Sequence, residues 1–180
     1  MLDYSPEKGK TPGVDIVHGA IGALHKEQTN TVRGAVSRRL NLGGAEAPNT
    51  LYAVVLPPDA ADCLNDLEAI LASYEHALIN GQRDLLTMSG LRFDHATPLH
   101  RQFELGRRLA LRSFAERRSL ASIIVQHVPS RIGFQNKPHV HIIAFARTLH
   151  GSNWGAFTEL RYPGAKAILA QEWANTLGEA

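Results

Sequence analysis

Three histidines are the residues best placed to do chemistry. In Pro138-His139-Val140-His141-Ile142-Ile143, two of them stand two apart in an apolar, β-branched run, so on a strand both imidazoles project from one face. His127 lies in the preceding run of the same kind, Leu120 to Val128, with Val125 and Ile123 at its parity. The ten residues between the runs contain Pro129, Gly133 and Pro138, the punctuation of a hairpin with a long loop. If the runs pair, His127 faces His139 and His141. Three neutral nitrogen donors on a divalent ion leave positions open for water or a phosphate oxygen, which suits metal-assisted phosphoryl chemistry. The competing reading is three strand histidines at a sheet end, hydrogen-bonded to backbone or to one another and binding nothing.

The elements that must position this hairpin are also readable. Residues 1–49 are rich in Gly, Pro, Asn and Thr and are expected to be poorly ordered or peripheral, apart from a short helix around Val32 to Leu40. Leu51 to Leu56 reads as a strand stopped by Pro57 and Pro58. Asp59 is then the expected N-cap of a helix carrying Leu64, Leu67, Leu71, Tyr74 and Leu78 on one face and ended by Gly81. A loop is expected to about Thr97. Pro98 to Arg118 is a second helix, with Leu99, Phe103, Ala110 and Phe114 as its apolar side, and a closing helix spans residues 163–177. The expected fold is α+β, a central antiparallel sheet flanked by helices, with residues 50–180 forming the domain.

Composition narrows the function classes. With 44% hydrophobic and 20% charged residues the chain is globular, and 180 residues suffice for one core. Cys63 is the single cysteine, which excludes a disulfide framework and a Cys-rich zinc site and suits the cytoplasm. No export h-region and no membrane-length apolar run is present, so no membrane partner is expected. The net charge of +2 hides a basic segment, Arg101, Arg107, Arg108, Arg112, Arg117 and Arg118. Of these, Arg107, Arg108 and Arg112 are the candidates for contact with a nucleic-acid backbone; the alternative is a solvated helix face.

The segment Ile123 to His127, the loop ending Gln135-Asn136-Lys137-Pro138, and His139-Val140-His141-Ile142-Ile143 closing with Arg147 resemble the histidine region of the MobA/MobL conjugative relaxases of the HUH endonuclease superfamily. Trp154-Gly155 and Glu172-Trp173-Ala174-Asn175 are similar to that family's continuation, so the likeness covers about residues 119 to 177, with weaker support over 51 to 80. The resemblance implies a relaxase-like domain in which His127, His139 and His141 bind a divalent ion, Mn²⁺ or Mg²⁺ or else Zn²⁺. It also implies nicking and strand transfer on single-stranded DNA at a plasmid transfer origin, with other relaxosome proteins as further partners. Relaxases of this kind attack the scissile phosphate with a tyrosine near the N-terminus. Here Tyr4 alone precedes the fold and is the candidate nucleophile, although no recognisable strand comes before it. Tyr52 and Tyr74 read as core residues, and Tyr162 follows the histidines. Two alternatives remain: a non-catalytic DNA-binding accessory of the same fold, and a histidine-triad nucleotide hydrolase, which would need a histidine where the chain has Ile143.

Overall fold

A computed structural model describes residues 3–7, 15–40, 51–93, 96–133 and 135–178. Its frame is one five-stranded antiparallel sheet of β1 (Asp15–Gly22), β5 (Asp84–Arg92), β7 (His139–Phe145), β6 (Ser122–His127) and β4 (Leu51–Val55), in that spatial order. Two small hairpins, β2 (Leu24–His25) with β3 (Gln28–Thr29) and β8 (Arg147–His150) with β9 (Asn153–Phe157), stand outside it. The helices are α1 (Val32–Leu40), α2 (Leu67–His76), α3 (Leu99–Leu109) and α4 (Ala165–Gly178). This is the α+β architecture expected, an antiparallel sheet with flanking helices.

Strand alternation sorts the core into two layers. On what we call the near face, Ile21, Leu86, Met88, Ile123, Val125, Ile143 and Phe145 pack against Val32, Ala35 and Val36 of α1 and Ile70, Leu71 and Tyr74 of α2. On the far face, Ile16, Leu91, Ile124, Val140, Ile142 and Ala144 meet Leu105 and Leu109 of α3 and Leu169 and Trp173 of α4. Gly106 lets α3 approach closely, since a Cβ there would stand 2.7 Å from Val140 Cγ1.

Several expectations are corrected. Residues before 50 are not all peripheral: β1 is an edge strand of the main sheet, α1 packs on the near face, and Tyr4 is only 5% exposed. The expected loop before Thr97 contains β5, a strand inside the sheet whose interior is buried on both faces. The cap of α2 is Asp66, whose side chain accepts from the Ala69 amide, because a short 3₁₀ turn at Asp62–Asn65 intervenes after Asp59. Helix α2 ends at His76, before Gly81. The 98–118 helix widens into π-type turns over Ala110–Glu116; of its expected apolar side Ala110 and Phe114 are fully buried, Leu105 and Leu109 join them, and Leu99 and Phe103 are only partly covered.

Candidate metal centre

The β6–β7 pairing sets His127 opposite His139 and Val125 opposite His141, while on the other flank Arg92 and Gly90 of β5 oppose His139 and His141. The three imidazoles therefore share the near face at one end of the sheet. Their ring centroids are 4.7 to 5.1 Å apart, each pair meeting edge to face. One nitrogen from each lies within 4.8 Å of the others, and among the described residues no carboxylate or thiol joins the group. Metal–nitrogen distances of roughly 2.0–2.1 Å would require the rings to draw slightly closer.

Each ring is held differently. His127 Nε2 is 2.5 Å from the carbonyl oxygen of Arg39 in the last turn of α1, and His139 Nδ1 is 2.9 Å from that of Lys137. His141 Nδ1 is buried over Gly90 without a hydrogen-bond partner among the described residues. Burial lowers the pKa of His127 to about 4, with the nearby His139 adding to the effect and the Arg39 carbonyl opposing it. Burial also lowers His139 and holds His141 well below the ordinary value, the latter assisted by its two histidine neighbours. All three are neutral at pH 7, with lone pairs available to a cation. That electronic state and the orphaned nitrogen of His141 fit a divalent ion.

Tyrosine placement differs from expectation. Tyr4 packs over Gly19, where a Cβ would stand 2.8 Å from its ring, and burial raises its pKa. Tyr74 is core as expected, donating to the Leu85 carbonyl. Tyr52 is not core: it is 46% exposed on the edge strand β4, opposite Val125. Val54 of the same parity packs on the near-face core, so Tyr52 shares the face of the histidines, two residues along from the His127 row. Tyr162 is exposed beside Arg161, which pairs with Asp84 at the opposite end of β5 from Arg92. A β-branched run bounded by prolines could have been read as an edge strand, and that was the available signal for Tyr52.

The arginines are not brought to the histidines. Helix α3 covers the far face, and Arg107 and Arg108 both bind Glu104, with Nε–O distances of 2.9 and 3.3 Å. Arg112 is engaged as well. Arg118 and Arg117 converge on Glu172 of α4. Arg147 is structural, donating to the carbonyls of Ala77, Trp154 and Gly155. His150 pairs with Asp59, and Ile143 is fully buried in the near-face core. His95, a further histidine upstream of the site in sequence, and the Gly43-Gly44 pair, which lacks the strand and helix of a phosphate-binding turn, lie outside the described residues.

No family model matches the sequence, and no curated protein is significantly similar to it. Among solved structures, the fold matches a protein from work on the molecular basis of vancomycin resistance transfer in Staphylococcus aureus. The TM-score is 0.59 at 13% identity, covering 72% of this chain and 68% of that one. The likeness is one of fold. No helix among the described residues is long and apolar enough to cross a membrane.

Proposed function

We propose that this protein acts in the cytoplasm on single-stranded DNA at a transfer origin, as a metal-dependent relaxase-type nicking and strand-transfer protein of MobA/MobL kind. The observation that carries the reading is the convergence of His127, His139 and His141, all neutral, at one end of the sheet in a fold shared with a resistance-transfer protein. When bound, a divalent ion such as Mn²⁺ or Mg²⁺ supplies polarisation of a scissile phosphate oxygen. The chain's own part is to hold three nitrogen donors without competing carboxylates and to deliver a tyrosine hydroxyl. In that step the tyrosine Oη–P bond forms and the P–O bond to the leaving sugar breaks. The phenol proton passes to the departing oxygen, leaving a phosphotyrosyl strand end and a free hydroxyl.

Tyr4 needs its ring to leave Gly19 before it can attack, whereas Tyr52 already stands exposed on the histidine face. The burial of Tyr4 is also the specific observation behind a second reading, a DNA-binding accessory that does not cut. The test is incubation with labelled single-stranded origin DNA of the same genetic element and Mn²⁺, scored for a protein-linked product. An adduct lost in Tyr4→Phe identifies Tyr4, and one lost in Tyr52→Phe identifies Tyr52. Tight binding with no adduct from the unmodified protein establishes the accessory.

A further inference from the structure

The near-terminal segment carries a buried charge cluster that the proposed chemistry does not use. Asp3 is 4% exposed, and its carboxylate accepts from both terminal nitrogens of Arg39, at 2.6 Å from Nη1, and from Arg38 Nη2 at 2.6 Å. Burial alone would raise the Asp3 pKa, but the hydrogen bonds from Arg39 and Arg38 outweigh it and hold the value at about 2. Arg39 is fixed further, with Nη1 on the Ala35 carbonyl at 2.9 Å and Nε 3.2 Å from Met88 Sδ. Asn30 closes the cluster by donating to the Asp3 carbonyl and accepting from Arg38. Each nitrogen of this guanidinium is therefore held, and with it the last turn of α1.

That turn presents the main-chain carbonyl of Arg39 to His127. It belongs to the carbonyls that no intrahelical amide reaches and carries the partial negative charge of a helix C-terminus. It can only accept, so the proton of neutral His127 sits on Nε2, and the lone pair is on Nδ1. The Lys137 carbonyl makes the opposite choice for His139, placing its proton on Nδ1 and its lone pair on Nε2.

We propose that Asp3 is a positioning residue for the metal centre: by clamping Arg39 it seats the Arg39 carbonyl on His127, so that His127 offers Nδ1 to the ion while His139 offers Nε2. This rests on the metal reading of the three histidines. A merely structural clamp would hold α1 in place without governing which nitrogen of His127 carries the proton. Buried ion pairs are weak contributors to stability compared with apolar packing, which favours a role beyond holding the helix.

The experiment is ¹⁵N NMR of the histidine rings in the full chain, with His127 assigned by comparison with His127→Gln, followed by Zn²⁺ calorimetry. Expected in the unmodified protein are a protonated Nε2 and a lone-pair Nδ1 on His127, with Nδ1 shifting on Zn²⁺ addition. In Asp3→Ala the His127 tautomers should mix and Zn²⁺ affinity should fall about 10–100-fold, the usual range for lost outer support of a ligand. Asp3→Glu, which keeps the charge, should restore part of both. A protonated Nδ1 on His127 in the unmodified protein overturns the proposal whether or not any variant folds. So does a folded Asp3→Ala with unchanged tautomer and affinity. If the unmodified protein binds no Zn²⁺ yet shows the expected tautomer and its loss in Asp3→Ala, the metal reading fails and the clamp on His127 stands.

Discussion

Two polar clusters on opposite faces of the sheet are in opposite states. On the far side, arginines are answered by carboxylates: Arg118 and Glu172 are both almost wholly buried and bonded at 2.8 Å, and Glu104 takes Arg107 and Arg108. On the near side, three imidazoles lean on one another, joined by no acid among the described residues, and one buried nitrogen has no partner. Buried polar groups are normally satisfied, and Thr87, Gln102, Ser122, Arg161 and Trp173 also keep a buried atom without a partner, but among the described residues only the histidines bring three neutral donors to one point, which suits a cation. Local density of charge is thus a poor guide to function here, and unfilled bonding capacity is the better one.

The largest effect should come from removing that capacity. His139→Ala with His141→Ala leaves one nitrogen donor and should weaken Mn²⁺ or Zn²⁺ binding by 100-fold or more, read by calorimetry; an unchanged isotherm would put the ion elsewhere. Glu172→Ala makes the complementary break. It strands the buried Arg118 guanidinium and should cost about 3 kcal/mol of stability in denaturant unfolding, with metal affinity unaltered. If both substitutions disturb both readouts, the two faces are not independent.

Acid separates the histidine cluster from the far-face carboxylates by pH window. His127 has an ordinary value of 6.5 and a folded value of about 4. Between those values the unfolded chain takes up a proton that the folded chain refuses, so stability falls as pH drops from 6.5 toward 4. For His127 alone this amounts to on the order of 3 kcal/mol. Glu104, Glu159 and Glu172 have folded values below 4.5 through their arginine partners, which outweigh burial for the latter two. Their contribution is present above that pH and disappears only as pH falls below it. Metal-free protein should therefore weaken in two stages, and saturating Zn²⁺ at pH 6 should suppress only the first. A single transition below pH 4.5 would show that the histidines are not buried as neutral rings.

The near-face site was readable in advance because β6 and β7 are β-branched runs with strong turn residues between them, and strand parity then decides which histidines share a face. The strand beside them was not. β5 is buried on both sides, so Asp84–Arg92 shows no two-residue alternation, and Thr87, Ser89 and Gly90 dilute its apolar character. β1 was hidden in the same way by Gly19, which is glycine because Tyr4 lies on it. Arginine density was visible from residue types, but the answering carboxylates were not: Glu159 and Glu172 lie 41 and 54 residues away and meet Arg118 only through tertiary packing. Pairing over that distance has no local period, so a helix rich in arginine looked more available than it is.

The smallest effect expected is on DNA binding by α3. If Arg107, Arg108 and Arg112 each met a phosphate, replacing all three with Ala would flatten the dependence of log affinity on log salt by roughly two, since each contact on a single strand contributes about 0.7. Their placement predicts less. Helix α3 lies across the sheet from the histidines, and two of the three guanidinium groups already share the Glu104 carboxylate. A strand whose phosphate sits at His139 would have to pass round the sheet edge to reach them. The slope should accordingly change by less than about 0.7, under one phosphate. Stability should move by only a few tenths of a kcal/mol, because exposed pairs three and four residues apart on a helix contribute about 0.2–0.5 kcal/mol each. Titration of single-stranded DNA at several salt concentrations decides it: a loss of two in slope, with the fold intact, would make the far face part of the DNA path and end the division of labour between the faces.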